Sequence, residues 1–334
     1  MTAKYYRYLL QFKRPSGTSR GVLYDKETFI LEVFENNKKG VGECAIFRGL
    51  SFDDREDYEE KLQWLCENIN AENSLLKEEL EEFPSIWFGY EQAMLNLEHQ
   101  GDLYFPSTFT DGKHPIKING LIWMGNAEYM GEQIQEKLAL GFRCIKLKIG
   151  VNWSVEHTVI QQLRSKFPKE VLELRVDANG AFSKDEAKVV LQQLADLDIH
   201  SIEQPIKAGE WSDMAELCAE TPTPIALDEE LIGIIDPEEK ENLLDIIQPQ
   251  YIILKPALVG GFSGSDEWIS FAEDRKIGWW ITSALESNIG LNAIAQYTYL
   301  KKNKMPQGLG TGGLFTNNFE SNLELNNENL CFKI

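Results

Sequence analysis

Between residues 116 and 310 this chain repeats one pattern, a short apolar strand-like segment followed by an amphipathic stretch. The stretches 126–141 and 183–198 have the apolar spacing of helices. Strands that alternate with helices imply a parallel sheet. Eight repeats over roughly 200 residues favour a closed β/α barrel over an open, doubly wound sheet. The predicted strands are 116–121, 144–149, 172–177, 201–203, 225–228, 251–255, 278–283 and a short one near 308–310.

The first hundred or so residues follow a different pattern, which indicates a separate α+β domain. The segments 5–12 and 28–37 are rich in aromatic and β-branched residues, so we predict strands there, with a turn at 36–40. Residues 54–81 are acidic and helical in pattern, and residues 85–102 form a strongly apolar helix pattern ending in glycine.

Charge and composition exclude several classes of protein. A net charge of −20 argues against a nucleic-acid partner, because phosphate binding needs a basic surface. Without a signal peptide or a run of about 18 apolar residues, we expect no membrane association and a cytoplasmic protein. The five cysteines are scattered, which favours reduced thiols. An acidic chain that binds an anion must therefore gather positive charge locally.

Five ionisable residues stand at the carboxyl ends of five consecutive predicted strands. Each follows the previous one by 25–29 residues, about one β/α unit. In a β/α barrel the carboxyl ends of the strands meet at one mouth, where active sites of this fold lie. The five residues are Lys148, Asp177, Glu203, Asp228 and Lys255.

The order of these charges suggests a chemistry. Asp177, Glu203 and Asp228 would repel one another without a cation, and oxygen ligands suit a hard ion, Mg²⁺ or alternatively Mn²⁺. A lysine lies on each side of this cluster, so a substrate held there would sit between two amines. Such a site suits removal of the weakly acidic proton next to a carboxylate, since positive charge stabilises the enediolate that forms.

Lys146 and Lys148 alternate with apolar residues in the segment 144–149, so both point to the same face of the strand. Lys148 is the candidate base. Lys146, one layer deeper, would lower the pKa of Lys148 or meet a carboxylate oxygen. Taken singly, each of the six residues has an ordinary explanation as a surface charge, a turn cap or a solvated acid. Those explanations do not account for the shared spacing.

With these residues in hand, the sequence resembles the muconate-lactonizing-like subgroup of the enolase superfamily. That subgroup carries Lys-x-Lys on the second barrel strand, three metal-binding acids on the third to fifth and a lysine on the sixth, and all these positions match in order. The resemblance implies a modified (β/α)7β barrel over residues 111–314 and an α+β capping domain over residues 1–110, to which residues 315–334 return. It also implies Lys148 and Lys255 as catalytic residues.

Two loops of the first domain, 13–21 and 42–51, would by this resemblance close over the mouth and set specificity. Their arginines Arg14, Arg20 and Arg48 are candidate contacts for a remote carboxylate. Together with Lys146 and Arg20, the substrate contacts that we expect from the barrel are Ser283, Gly310 and Thr311.

Four further segments, 83–96, 117–125, 281–291 and 308–318, resemble the dehydratases of menaquinone synthesis. The resemblance implies a small anionic dicarboxylate substrate, 2-succinyl-6-hydroxy-2,4-cyclohexadiene-1-carboxylate, and its syn dehydration to an aromatic product. Racemisation of N-succinylamino acids or epimerisation of dipeptides by the same two lysines is the alternative. Dipeptide epimerases usually carry Asp-x-Asp after the eighth strand, where this chain has glycines and Thr311. A non-catalytic barrel that only binds ligands is a third reading, and the oligomeric state stays open.

Overall fold

The computed structural model describes residues 1–18 and 21–334. The elements are, in chain order, β1 (Thr2–Thr18), β2 (Gly21–Glu35), β3 (Lys38–Cys44), α1 (Tyr58–Glu67), α2 (Asn73–Glu79), α3 (Pro84–His99), β4 (Ile116–Lys117), β5 (Gly120–Ile122), α4 (Ala127–Ala139), β6 (Cys144–Lys148), α5 (Trp153–Lys166), β7 (Glu173–Asp177), α6 (Lys184–Ala195), β8 (Ser201–Glu203), α7 (Trp211–Glu220), β9 (Ile225–Leu227), α8 (Pro237–Ile247), β10 (Tyr251–Leu254), α9 (Gly261–Asp274), β11 (Gly278–Ile281), α10 (Asn288–Leu300), β12 (Leu323–Asn326) and β13 (Asn329–Phe332). No helix in these described ranges has the length and apolar character needed to span a bilayer.

The N-terminal domain, β1 to α3, is an antiparallel sheet covered by helices. Its strands β2 and β3 are joined by a tight turn in which Asn36 and Asn37 both have positive φ, 47° and 63°, a conformation that asparagine tolerates. The turn in the structure is therefore shorter than the predicted one, which covered residues 36–40, and β3 begins directly after it. Strand β3 was not predicted, because its glycines lower its strand propensity. They are needed for packing, since a Cβ on Gly42 would lie 1.9 Å from the Gly89 carbonyl oxygen of α3.

The region 54–81, which was predicted to be helical, contains two helices, α1 and α2. The break falls at Asn68, whose Nδ2 donates a 2.8 Å hydrogen bond to the Trp64 carbonyl oxygen and so occupies an acceptor at the end of α1. Helix α3 begins with Pro84 in its first turn, where the missing proline N–H costs nothing. Its buried side chains join those of the sheet and of α1 in one core.

Strands β5 to β11 form a parallel sheet in sequence order, and each is followed by a helix, α4 to α10. The sheet closes through Gln307 and Gly308, which form parallel bridges to Ile118 on one side and to Thr282 on the other. The eighth strand is thus reduced to this short segment, and the (β/α)7β barrel is confirmed. The strand predicted at 116–121 is divided, because β4 pairs with β13 while β5 enters the barrel.

After the eighth strand the chain makes two kinds of contact. The Lys13 N–H donates to the Leu314 carbonyl oxygen, and the Thr316 N–H donates to the Gln11 carbonyl oxygen, each at 2.8 Å. Residues 314–317 therefore extend the edge of β1. Strands β12 and β13 lie elsewhere, in a small antiparallel sheet with β4.

Two carboxylates of the N-terminal domain, the buried Glu43 and the half-buried Glu91, hold it against the barrel. Glu91 of α3 accepts hydrogen bonds from the N–H groups of Phe262 (2.6 Å) and Ser263 (3.1 Å) at the start of α9. Glu43 of β3 accepts one from the N–H of Ser287 (2.9 Å) at the start of α10. Carboxylates at helix N-termini satisfy unpaired N–H groups and favour the helix dipole. Because α9 and α10 begin where β10 and β11 end, these contacts place the N-terminal domain at the barrel mouth.

Candidate active site

Residues from three neighbouring strands form one row at the barrel mouth. Lys148 at the end of β6 pairs in register with Asp177 at the end of β7, which pairs with Glu203 at the end of β8. Side chains of a strand alternate between its faces, so paired residues of neighbouring strands point the same way. The even spacing in the sequence is therefore a shared position in the sheet.

Lys146 lies one layer below this row and bridges two of the acids. Its Nζ is 3.1 Å from Asp177 Oδ2 and 2.8 Å from Glu203 Oε2, and Lys148 Nζ is 2.9 Å from the same Asp177 oxygen. All four side chains are buried, with at most 13% of any one exposed. Of the two roles expected for Lys146, the structure shows the contact with carboxylate oxygens.

Lys255 and Asp228 complete the cluster on the other side. They follow β10 and β9 directly and form an ion pair, with the lysine 12% and the aspartate 2% exposed. The structure thus brings together all five residues that the strand-end spacing singled out. Lys148 and Lys255 both line one cavity, which also includes Asp177.

Charge interactions in this cluster are strong because the groups are buried. Burial opposes the charge of Asp177, but the ammonium groups of Lys148 and Lys146 hold the pKa of that carboxyl below its usual range. Burial together with the neighbouring charge of Asp177 raises the pKa of Glu203 well above its usual range. The pKa of Lys255 is raised despite burial, since Asp228 and Glu203 stabilise its charge.

These directions bear on the expected basicity of the lysines. A cation next to a lysine lowers the pKa of that lysine. Here, instead, the carboxylates of Glu203 and Asp177 act on Lys146 directly and raise its pKa in spite of burial. The reason is the charge count, because the lysines supply the positive charge that neutralises the acids. Lowering a lysine pKa in this site therefore needs further positive charge beside the acids.

The donor set has the chemistry of a hard divalent cation site. Within the described part of the chain, no three acid, histidine or cysteine side chains converge closely enough to hold a metal ion, since each acid here contacts a lysine. One buried oxygen is nevertheless available, because Glu203 Oε1 has no hydrogen-bond partner among the described residues. Buried carboxylate oxygens without nitrogen or sulfur ligands suit Mg²⁺ rather than a softer ion. The residues present fit such an ion.

Two residues of the site were missed in the sequence. Lys148 Nζ donates a 2.7 Å hydrogen bond to Asn179 Oδ1, and Asn179 Nδ2 donates a 2.9 Å hydrogen bond to Glu229 Oε1. Asn179 has a positive φ of 46°, which turns the chain back after β7 toward the mouth. The available signals were the segment Asp-Ala-Asn at the end of β7 and the pair Asp-Glu directly after β9.

The substrate contacts predicted from the barrel lie together. Lys146, Ser283, Gly310 and Thr311 all line the cavity that also contains Lys148 and Lys255. The loop 42–51 also reaches it, through Phe47 and Leu50.

The three loop arginines are placed differently. Arg48 pairs with Glu27 and with Asp54 at 2.7 Å, and it is 42% exposed. Arg14 lies in β1 and not in a loop, and it lines a separate groove beside α4. Arg20 lies outside the residues that the structure describes.

Comparison with known proteins defines the class first. The family described as Enolase C-terminal domain-like matches residues 129–326, and the family described as MenC, N-terminal domain, matches residues 1–97. The chain belongs to the enolase superfamily, as the six barrel residues indicate.

Individual proteins that the chain resembles are more specific than the superfamily. The chain is 46% identical to an o-succinylbenzoate synthase from Desulfotalea psychrophila (strain LSv54 / DSM 12343), over 97% of this chain and 96% of the relative. A crystal structure of MenC from Desulfotalea psychrophila LSv54 superposes with a TM-score of 0.89 at 42% identity and covers 99% of both chains. A dipeptide epimerase from Enterococcus faecalis V583, complexed with Mg and the dipeptide L-Leu-L-Tyr, has a TM-score of 0.85 at 18% identity, with 99% of this chain and 96% of that chain covered. That last likeness shows the fold alone.

Proposed function

We propose that this chain is an o-succinylbenzoate synthase, a dehydratase that converts 2-succinyl-6-hydroxy-2,4-cyclohexadiene-1-carboxylate into 2-succinylbenzoate. The observation that carries the proposal is the placement of Lys148 and Lys255 in one cavity, on either side of buried acids. Similarity to an o-succinylbenzoate synthase over nearly the whole length supports the choice of substrate.

In this proposal Lys148, as the free amine, accepts the proton on the carbon next to the ring carboxylate. The electron pair of that C–H bond moves toward the carboxylate to give an enediolate. The C–O bond to the ring hydroxyl then breaks, and the hydroxyl leaves as water after taking the proton back from Lys148 on the same face. No other reactant is consumed, and the product gains an aromatic ring.

The other residues stabilise charge in this scheme. Lys255 keeps its ammonium, which the raised pKa favours, and approaches the ring as a cation. Asp177, Glu203 and Asp228 would hold Mg²⁺, or Mn²⁺ in its place, which supplies positive charge next to the substrate carboxylate. Asn179 orients the Lys148 amine through its 2.7 Å hydrogen bond.

Racemisation of N-succinylamino acids is the second candidate. It is favoured by the same pair of lysines, since a two-base mechanism needs one amine on each face of the substrate. Dipeptide epimerisation fits less well, because the loop after the eighth strand offers Gly310 and Thr311 to the cavity where an acid would bind the dipeptide ammonium. A small dicarboxylate is therefore the proposed ligand class. The cytoplasm is the proposed compartment, in keeping with five free thiols.

The test is a direct assay. Purified protein is mixed with the cyclohexadiene substrate, and loss of the diene absorbance is followed with Mg²⁺ and then with EDTA. Fast loss that EDTA abolishes supports the proposal. Absence of turnover rejects it, and α-proton exchange in D₂O with N-succinylamino acids then tests the second candidate.

A further inference from the structure

Lys26 of β2 carries a buried ammonium that the described residues do not satisfy. The residue is 6% exposed, and its Nζ has no hydrogen-bond partner in the described part of the structure. A buried unpaired ammonium costs free energy, so nearby opposite charge must compensate for it. Its Nζ lies 6.0 Å from the centre of the Phe47 ring, which lines the catalytic cavity.

Two carboxylates face Lys26, Glu43 from its own domain and Glu286 from across the domain boundary. Burial lowers the pKa of Lys26, and the charges of Glu43 and Glu286 oppose that effect. Burial raises the pKa of Glu286, and the charge of Lys26 opposes that shift in turn. Each group thus favours the ionised form of the other. Glu43 also caps α10, whereas Glu286 lies in the loop between β11 and α10.

Glu286 anchors a chain of hydroxyl groups that ends in the cavity. Its Oε2 accepts hydrogen bonds from Ser283 Oγ (2.7 Å) and from the Ala284 N–H (2.8 Å). Ser283 Oγ in turn accepts hydrogen bonds from Thr311 Oγ1 (2.8 Å) and from the Leu285 N–H (3.1 Å). Ser283 and Thr311 both line the cavity that contains the catalytic lysines.

The order of donors and acceptors among these hydroxyl groups follows from counting their hydrogens. A hydroxyl has one hydrogen to donate and two lone pairs. The Ser283 hydrogen is used on Glu286, and the Thr311 hydrogen is used on Ser283. Both lone pairs of Ser283 Oγ are already used by Thr311 and the Leu285 N–H, so the acceptor that these two hydroxyls offer a substrate is Thr311 Oγ1, which has no hydrogen left to donate. With a protonated Glu286 the order could reverse, since the acid would then donate to Ser283.

We propose that Lys26 is a positioning residue, whose ammonium keeps Glu286 as a carboxylate and thereby, through Ser283, fixes the Thr311 hydroxyl as a hydrogen-bond acceptor for the substrate. The N-terminal domain then controls the binding properties of a barrel wall through a charge that does not touch the substrate. The proposal rests on the proposed function only in that the same cavity binds the substrate.

The experiment compares Lys26→Met with Lys26→Arg in the full-length protein. Lys26→Met removes the charge at similar volume, and Lys26→Arg keeps it. Lys240→Met is the matched control, because Lys240 is also a buried lysine beside an aromatic ring, 5.7 Å from Trp268, but is paired with Glu267 on another face. Infrared difference spectra report the protonated carboxyl, and steady-state kinetics report KM and kcat.

We expect Lys26→Met to gain a protonated-carboxyl band that disappears when Glu286→Gln is added. We also expect KM to rise by up to roughly tenfold, as for loss of one hydrogen bond, with a smaller change in kcat. Lys26→Arg should restore both readouts, and Lys240→Met should change neither. The proposal would be overturned if Lys26→Met had wild-type spectra and a wild-type KM, or if Lys26→Met and Lys240→Met shifted KM equally. Failure of the wild type to consume the cyclohexadiene substrate would reject the proposed function instead, and the infrared result would still decide the role of Lys26.

Discussion

Lys148 Nζ donates hydrogen bonds to two groups at once, Asp177 Oδ2 at 2.9 Å and Asn179 Oδ1 at 2.7 Å. A lysine side chain has four rotatable bonds, so a base on it is only well aimed when its amine is held. Asn179 is itself fixed, because its Nδ2 donates to Glu229. The position of the Lys148 amine is thus set by residues that follow β7 and β9.

Replacement of Asn179 by alanine should slow catalysis more than it weakens binding. Misplacing a reacting group by about 1 Å can cost on the order of a hundredfold in rate, so we expect kcat to fall by roughly tenfold to a hundredfold. Asn126→Ala is the control, since Asn126 only caps α4 by accepting from the Tyr129 N–H at 2.9 Å. It should cost about 1 kcal/mol of stability and leave kcat unchanged. Equal kcat in Asn179→Ala and wild type would contradict the orienting role.

Lys148→Arg tests the proposed role of Lys148 as the base more sharply than a substitution that removes the whole charged side chain. Arginine keeps the positive charge beside Asp177 but does not deprotonate in proteins, so proton removal should be lost. We expect kcat to fall by about 10²–10⁴, the usual contribution of a positioned base. Lys113→Arg, at an exposed ion pair with Asp111, should have wild-type kinetics. Turnover by Lys148→Arg at the wild-type rate would exclude Lys148 as the base.

Glu203→Gln should separate metal binding from stability. The amide has the size of the acid and keeps an acceptor for Lys146. The free energy of unfolding of the ion-free variant should therefore lie within about 1 kcal/mol of the wild-type value. A ligand that binds only the folded state at 100 times its Kd stabilises by about 2.7 kcal/mol, and this Mg²⁺-dependent gain should disappear in the variant. Thermal unfolding with increasing Mg²⁺ measures both. An unchanged Mg²⁺ response would show that Glu203 does not bind the ion.

The barrel and its ionisable residues could be predicted because both follow from local rules. Strand and helix periods are visible in the sequence, and parallel strands bring their carboxyl ends together, so regular spacing predicts a shared mouth. The third strand, β3, could not be predicted in this way. Its glycines are explained only by the approach of α3, which is a tertiary contact.

Residues that act through another side chain could not be predicted from the sequence either. Glu229 resembles any solvated acid until the turn after β7 brings Asn179 to it. Lys26 lies in a strand of a different domain from Glu286 and 260 positions earlier in the chain. Periodicity cannot report such pairs, since their proximity depends on how the two domains dock. The arginines of the two predicted loops were expected as contacts from the resemblance and from their charge, and Arg48 is instead engaged by Glu27 and Asp54.

Glu91 should make stability depend on pH around neutrality. Burial raises its pKa from the ordinary value of 4.5 to about 7 in the folded protein, although the N–H groups at the start of α9 favour its charged form. The folded state therefore holds the proton more tightly than the unfolded state. The resulting stabilisation is fully present below about pH 4.5 and is lost as pH rises through about 7.

Glu91→Gln removes this titration and keeps an acceptor for the Phe262 N–H. The free energy of unfolding, measured in urea at a series of pH values, should fall less steeply between about pH 4.5 and 7 in the variant than in wild type. Asp245→Asn is a suitable control, because that aspartate is a surface partner of Arg275 and its pKa is lowered, so it cannot contribute to this window. Identical slopes in Glu91→Gln and wild type would show that Glu91 stays charged in the folded protein throughout this range. In that case α9 would be capped by a permanent carboxylate, and the contact between the N-terminal domain and the barrel would not weaken as the pH rises.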